Sequence, residues 1–128
     1  MEYSIAIILI ALLQFIFFTA RTGFSRGKYD VKAPKTVGNE RWERIYRIQQ
    51  NTLEQLVIFI PSMVIFSLYV SATWVLLPGI LFIAGRHIYS RLYLQSPENR
   101  GPGMILSFFS NIALVIGNLI GVSLDLLG

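Results

Sequence analysis

The sequence predicts an all-α protein, an integral membrane bundle of four helices. Only 14% of the residues are charged, whereas soluble domains average about 25%. Four apolar runs can each supply about the 20 residues that a helix needs to cross a bilayer. Because a helix satisfies its own backbone hydrogen bonds in lipid, four spanning helices follow from these runs. The predicted helices cover roughly residues 3–26, 40–70, 74–96 and 102–127, within one domain over residues 1–128.

The first two apolar runs extend from Tyr3 to Ala20 and from Leu53 to Val70. The first has no basic residue before it, only Glu2, so it is predicted to be a retained transmembrane helix rather than a signal peptide. The second helix begins upstream of its apolar run, where Asn39 is a suitable N-cap. Pro61 lies inside this helix and is expected to kink it.

The third apolar run begins at Trp74 and continues to Leu94, and the fourth covers Met104 to Leu127. Pro102 suits the first turn of the last helix. Gly117 and Gly121, at a spacing of four residues, form the small-xxx-small pattern of close helix contacts.

The basic residues predict the orientation of the helices. Eight of the eleven lie between Arg21 and Arg47, around the first loop. The other three are Arg86, Arg91 and Arg100, around the third loop, and the turn at 71–73 has none. The positive-inside rule therefore predicts that loops 1 and 3 are cytoplasmic. Orientation and contact with anionic lipids account for the net charge of +4, so it is no sign of nucleic-acid binding.

Several kinds of site are excluded by composition. The chain has no cysteine, and its only histidine is His87. Disulfides and thiolate metal sites are thus impossible, and one imidazole without a carboxylate pair is a poor metal site, so no metal is expected. There is also no serine–histidine pair, no phosphate-binding glycine loop and no paired catalytic carboxylates.

Two polar faces occur where the helices enter the membrane. Residues three or four apart share a helix face, and charge at membrane depth usually faces a bundle interior or a watery cavity. Arginine forks bind carboxylates, a glutamate can hold an ammonium group, and tyrosines supply neutral donors. The pattern predicts a site for a small zwitterion that bears carboxylates. The two faces and the arginine that follows them consist of Arg44, Arg47, Asn51, Glu54, Arg86, Tyr89, Tyr93 and Arg100.

A structural interpretation remains open for each residue taken singly. Arginines near the membrane surface snorkel and pair routinely, and Tyr89 and Tyr93 could belong to an aromatic belt. Asn51 and Glu54 lie at least one turn deeper, which favours a binding site for the whole set. A transporter or channel would need polar faces that continue across the bilayer, whereas here they stop about halfway.

Two blocks of this sequence resemble the MAPEG family, the membrane-associated proteins of eicosanoid and glutathione metabolism. The first runs from Ala33-Pro34 to Gly38 and continues as ERIYRIQQNTLEQ at 43–55. The second is GRHIYSRLYLQSPENRG at 85–101. The resemblance covers Arg21 to Gly103 and implies a homotrimer of four-helix subunits, with glutathione bound between adjacent subunits near the cytoplasmic face.

The resemblance also implies roles for individual residues. Arg100 matches the arginine with which leukotriene C synthases stabilise the glutathione thiolate. Arg86 fits the pattern of a binding residue, with an ion pair to Glu54 as the structural alternative. Arg21 and Gln49 match positions that reach glutathione from the neighbouring subunit. The positions that match glutathione contacts within one subunit are Arg47, Asn51, Glu54, Tyr89 and Tyr93.

Two departures narrow the implied activity. Thr22 stands where leukotriene C synthases have a second catalytic arginine, and Gln55 replaces a tyrosine that contacts glutathione there. The expected function is therefore a membrane-bound glutathione transferase for lipophilic electrophiles, with glutathione-dependent peroxidase activity also open. The alternative is a non-catalytic lipid-binding protein of the five-lipoxygenase-activating-protein type. Short tails without an obvious retention signal favour a bacterial inner membrane over the endoplasmic reticulum.

Overall fold

The computed structural model describes all residues from Met1 to Gly128 and contains no strand. The all-α prediction is confirmed. A short 3-10 turn, Pro97–Arg100, precedes the last helix. The helices are α1 (Glu2–Phe24), α2 (Arg26–Tyr29), α3 (Glu40–Tyr69), α4 (Leu76–Gln95) and α5 (Gly101–Leu127).

Three segments are long and apolar enough to cross a membrane: α1, α3, and α5 together with its preceding turn. Helix α4 does not reach this standard, since Arg86, His87 and Arg91 lie in the C-terminal part of its 20 residues. The sequence is therefore that of a membrane protein, while a fourth spanning helix stays a prediction for α4.

The helix boundaries differ from the predicted ones by a few residues. Helix α1 ends at Phe24, and the chain makes the separate short helix α2 where one continuous helix to residue 26 was expected. Helix α4 begins at Leu76 rather than residue 74. The reason is a turn in which the Ser71 hydroxyl accepts hydrogen bonds from the amides of Thr73 and Trp74, at 3.2 and 2.9 Å.

The start of α3 is fixed by a cap and by an aromatic anchor. The Asn39 side chain accepts a hydrogen bond from the Trp42 amide at 3.0 Å, which confirms the predicted N-cap. The Trp42 side chain is fully buried, and its indole N–H donates to the Thr22 carbonyl of α1 at 3.1 Å. The polar N-terminal half of α3 is thereby held against the end of α1.

The main hydrophobic core joins all four long helices in their apolar halves. Its centre is a stacked pair, Phe59 of α3 and Phe82 of α4, with ring centroids 3.9 Å apart. Helix α3 passes through Pro61 as one element. The other buried members of this core are Ile7, Ile8, Ala11, Leu56, Met63, Val75 and Leu114.

Glycines allow α5 to approach its neighbours closely. A Cβ atom at Gly85 of α4 would lie 2.8 Å from the Ser107 amide nitrogen of α5. Near the other end of α5, Gly117 packs on the Phe66 ring and Gly121 on the Tyr69 carbonyl. The predicted close contact at the small-xxx-small pair is therefore confirmed, and it is made with α3 of the same chain.

Candidate functional site

A polar pocket of about 420 Å³ lies between α3, α4, the 3-10 turn and the start of α5. Six of its nine lining residues belong to the set predicted from sequence. The remaining three were not predicted. The lining residues are Tyr46, Arg47, Gln50, Asn51, Glu54, Tyr89, Tyr93, Arg100 and Met104.

Helix α3 supplies one wall of this pocket. Arg47, Asn51 and Glu54 line it together, as their spacing predicted. Tyr46 and Gln50 widen the same face, and sequence reasoning missed both. The signal was present, because Tyr46, Gln50 and Glu54 follow one another at intervals of four residues and so share a helix face.

Helix α4 supplies two tyrosines to the opposite wall. The rings of Tyr89 and Tyr93 stack with centroids 5.4 Å apart and planes inclined by 7°. Tyr89 is only 3% exposed and packs in a small core with Phe18 and Ile48, against which Met104 also packs. An aromatic belt residue would point into the membrane interface, so this burial agrees with a role inside the pocket.

Three charged side chains of the pocket have no partner within the protein. Arg47, Glu54 and Arg100 form neither an ion pair nor a hydrogen bond with another side chain, although all three line one cavity. Arg100 is the last residue of the 3-10 turn, so its charge lies where α4 gives way to α5. Unpaired charges of both signs in one pocket suit a zwitterionic ligand with excess negative charge.

Arg86 lies behind the pocket rather than in its lining. Its side chain is fully buried, and its guanidinium donates to the Asn51 side-chain oxygen at 2.6 Å. It also donates to the hydroxyls of Thr52 and Ser107, at 3.3 and 2.7 Å. The alternative of an ion pair with Glu54 is wrong: the guanidinium forms no ion pair.

Arg44 shares the polar face of α3 in sequence but not the pocket. Its guanidinium pairs with Glu40 at 3.0 Å and donates to the Leu94 carbonyl at 3.3 Å. Arg41 donates to the same carbonyl at 3.2 Å. Both arginines therefore satisfy the C-terminal end of α4, which carries negative partial charge. Periodicity alone could not separate this structural role from binding.

Arg21 and Gln49 do not line the pocket of their own chain. The Arg21 guanidinium donates to the Ser90 hydroxyl at 3.0 Å and lies 5.1 Å from the centroid of the Phe18 ring. The Gln49 amide donates to the Thr19 hydroxyl at 3.4 Å. Within a single chain, Arg21 and Gln49 therefore do not join the six predicted residues that line the pocket.

Gln55 and Thr22, the two residues that differ from those of leukotriene C synthases, also do not line the pocket. The Gln55 side-chain oxygen accepts a hydrogen bond from Asn111 of α5 at 2.9 Å. Thr22 is buried and donates to the Phe18 carbonyl at 2.8 Å. His87 is exposed on α4, and no three histidine, aspartate or glutamate side chains gather in a metal-binding group.

Comparisons with known proteins find relatives that match most of this chain. An uncharacterised protein of Synechocystis sp. is 36% identical over 113 residues, which is 88% of this chain and 82% of that protein. Microsomal glutathione S-transferase 2 of Homo sapiens is 29% identical over 118 residues, 92% of this chain and 80% of the human protein. A probable microsomal glutathione S-transferase of Dictyostelium discoideum is 32% identical over 111 residues, 83% of this chain and 74% of that protein.

A family model covers nearly the whole chain. The model described as the MAPEG family matches residues 3–120, which include both sequence blocks and every residue that lines the pocket. The chain therefore belongs to the MAPEG family.

Proposed function

We propose that this protein is a membrane-bound glutathione transferase that acts on lipophilic electrophiles. The observation that carries the proposal is the set of unpaired charges in one pocket: Arg47, Glu54 and Arg100. The names of the human and Dictyostelium discoideum relatives support the same activity.

The chemistry of the pocket matches that of glutathione group by group. Glutathione carries two carboxylates, one ammonium group and one thiol. Arginine binds carboxylates through paired N–H donors, while Glu54 is the one acid of the pocket and suits the ammonium group. The amide of Asn51 and the hydroxyls of Tyr89 and Tyr93 can orient the peptide part of the ligand.

Arg100 is the residue that we assign to activation of the thiol. A free thiol has a pKa of about 8.5, and the thiolate is the nucleophile. A guanidinium beside the sulfur favours the anion, and lowering the pKa by about 1.5 units requires about 2 kcal/mol of preferential stabilisation. Arg100 is exposed at the pocket edge and has no protein partner, so its charge is available to the ligand.

The conjugation reaction then needs no further catalytic group from the protein. The thiol proton leaves to solvent, and the thiolate sulfur forms a bond to the electrophilic carbon. The displaced group, such as a halide, departs with its electron pair, and the product is a thioether. With a lipid hydroperoxide the thiolate attacks the O–O bond instead. A second glutathione completes that reaction, which yields an alcohol, water and glutathione disulfide.

The membrane is proposed to deliver the second substrate. Large apolar side chains are exposed on the outer faces of α1, α3 and α5, for example Leu13, Val57 and Leu119. A lipophilic electrophile concentrated in the bilayer can approach the thiolate sideways from these faces. We place loops 1 and 3 on the cytoplasmic side, because the basic residues are concentrated around them.

A homotrimer is the assembly that we propose. Arg21 and Gln49 lie outside the pocket of their own chain, while family resemblance assigns both to a neighbour's glutathione. A pocket shared between subunits would then gain an additional arginine and an additional amide. Four-helix subunits with exposed apolar faces have the surface that such an assembly would bury.

A non-catalytic lipid-binding protein is the alternative. Such a protein has no need of two arginines and a glutamate left unpaired at one cavity. Charges without protein partners instead indicate a charged ligand, which favours the transferase.

The test is glutathione-dependent conjugation of an aryl halide by the purified protein in mild detergent, beside a peroxidase assay with a lipid hydroperoxide. We expect saturable conjugation whose half-saturating glutathione concentration rises more than tenfold in Arg47→Ala and is unchanged in Arg91→Ala, because Arg91 is exposed and does not line the pocket. Glutathione binding without turnover in either assay would support the non-catalytic alternative. Absence of glutathione binding would refute the proposal.

A further inference from the structure

Arg86 is a buried cation that is surrounded only by neutral acceptors. Its side chain has no exposed surface, and the two ion pairs of the structure lie elsewhere. Guanidinium stays charged under all ordinary conditions, and an ionisable residue at membrane depth usually has a function. Its neutral partners lie on α3 and α5, and one of them, Asn51, lines the pocket, which points to a role there.

The two hydroxyls around Arg86 are already used as donors. Thr52 donates to the Ile48 carbonyl at 2.7 Å, and Ser107 donates to the Gly103 carbonyl at 3.1 Å. Their lone pairs remain free to accept from the guanidinium. The position of Arg86 is thus fixed from both sides, by α3 and by α5.

The third acceptor, Asn51, is the one that connects Arg86 to the pocket. A guanidinium has donors only, so the Asn51 atom 2.6 Å from it must be the side-chain oxygen. The Asn51 nitrogen then points the other way and donates to no protein atom, while the residue lines the pocket. The hydrogen bond from Arg86 therefore allows the Asn51 side-chain amide only one orientation.

We propose that Arg86 is a positioning residue that acts through Asn51. It holds the Asn51 amide so that its N–H donors face the pocket, which then selects a ligand with a carboxylate or carbonyl oxygen at that point. The inference rests on the proposed function, since it describes how the pocket recognises glutathione. It differs from the expectation that Arg86 itself touches the ligand, which stays a prediction.

The same guanidinium supports the second wall of the pocket. It lies 4.6 Å from the centroid of the Tyr89 ring, and Tyr89 stacks in turn on Tyr93. A cation against an aromatic face is attractive and is stronger when desolvated. Arg86 therefore contacts side chains of both walls without lining the cavity itself.

The first experiment replaces the Asn51 amide by an acid. In Asn51→Asp one carboxylate oxygen keeps the contact with Arg86 as an ion pair, while the other presents an acceptor where the ligand needs a donor. We expect glutathione affinity to fall more than tenfold and the melting temperature in detergent to be kept or raised. The matched control is Asn111→Asp, whose amide donates to Gln55 oxygens and has no cation beside it.

The control makes the stability result decisive. Asn111→Asp should lower the melting temperature, because a buried carboxylate would face other oxygens, and the folded fraction should keep its glutathione affinity within about twofold of wild type. If Asn51→Asp loses as much stability as Asn111→Asp, the Asn51 side chain is not held by the Arg86 guanidinium. If Asn51→Asp binds glutathione as wild type does, the amide is not a donor to the ligand. Either result would overturn the proposal.

A double-mutant cycle tests whether Arg86 acts through Asn51. Arg86→Met should weaken glutathione binding at least tenfold in the wild-type background but by less than about threefold in the Asn51→Ala background. Equal losses in both backgrounds would mean that Arg86 does not act through Asn51, but on the ligand directly or through Tyr89. Failure of the wild-type protein to bind glutathione would instead refute the proposed function, and the melting temperatures of the two aspartate variants would still decide whether Arg86 holds Asn51.

Discussion

Gly103 of α5 lies directly against the backbone of Tyr89 in α4. A Cβ atom at Gly103 would stand 2.2 Å from the Tyr89 amide nitrogen and 2.6 Å from the Gly85 carbonyl oxygen. No side chain larger than hydrogen fits at this crossing. The contact sets the distance between the two helices at the level where Tyr89 enters the pocket and where Ser107 meets Arg86.

Gly103→Ala should therefore destabilise the protein and loosen the pocket together. Overpacking at a well-packed site costs about 1–3 kcal/mol, and a backbone contact leaves little room for relief. We expect a lower melting temperature in detergent and weaker glutathione binding. Gly101→Ala is the matched control, because no atom lies within 4 Å of a Cβ atom there. Equal melting temperatures for the two variants would contradict the close contact between α4 and α5 at Gly103.

Local sequence signals were sufficient to predict most of the fold. Apolar runs gave the long helices, and the Asn39 cap was evident because its side chain needs only the next turn of the same helix. The boundary at Leu76 was missed, since it depends on a Ser71 hydroxyl that caps a tight turn. That α4 spans the membrane stays a prediction, because Arg86, His87 and Arg91 lower the mean hydropathy of its C-terminal half.

The sequence predicted which helix faces form the candidate site, but not which residues of those faces line the pocket. Helical periodicity grouped Arg44 with Arg47 and Arg86 with Tyr89, because each pair shares a face. It could not tell that Arg44 would satisfy the end of α4, or that Arg86 would lie behind Asn51. These roles depend on where a second helix crosses, and a single helical repeat carries no information about that crossing.

The α3 wall of the pocket makes the most direct prediction about binding. Arg47→Ala and Glu54→Ala should each weaken glutathione binding more than tenfold, about 1.4 kcal/mol or more, as expected when one partner of a charged hydrogen bond is lost. Isothermal titration calorimetry on the purified protein measures this loss. Arg91→Ala keeps the same helical scaffold and should bind as wild type. Unchanged affinity in both α3 variants, with the assembly intact, would refute the site.

The proposed trimer makes a prediction about mixed assemblies. If Arg21 completes the site of a neighbour, an Arg21→Ala subunit and an Arg100→Ala subunit, each of low activity near neutral pH, should complement each other. Random mixing in equal amounts would restore about a quarter of the sites, because each site draws its two arginines from two subunits. The measurement is conjugation activity after co-expression, with the mass of the complex determined in mild detergent.

A control pair uses two residues of the same pocket. Arg47 and Arg100 line one cavity of one chain, so mixing Arg47→Ala with Arg100→Ala should restore no site. Full activity of Arg21→Ala by itself would remove Arg21 from the site. A stable and active monomer would show that no neighbour is needed.

The last prediction separates chemistry at Arg100 from binding. Arg100 ends the 3-10 turn, is exposed at the pocket edge and has no protein partner. Arg100→Ala should therefore leave the fold and much of the glutathione affinity intact. The pKa of the bound thiol should rise toward its free value of about 8.5. If the wild-type complex has a pKa of about 7, the thiolate fraction at neutral pH falls roughly fifteenfold.

The rate should follow that fraction, which fixes the sign of the pH dependence. Activity of Arg100→Ala should be low near neutral pH and recover as the pH rises past the raised thiol pKa. At that higher pH, wild-type activity is already near its plateau. Thiolate absorbance at about 240 nm, titrated against pH in both complexes, reports the ionisation directly. Arg100→Lys keeps the charge and should restore part of the shift. Identical titration curves for wild type and Arg100→Ala would exclude Arg100 as the activating residue, and the positive charge would then have to come from Arg21 of a neighbouring subunit.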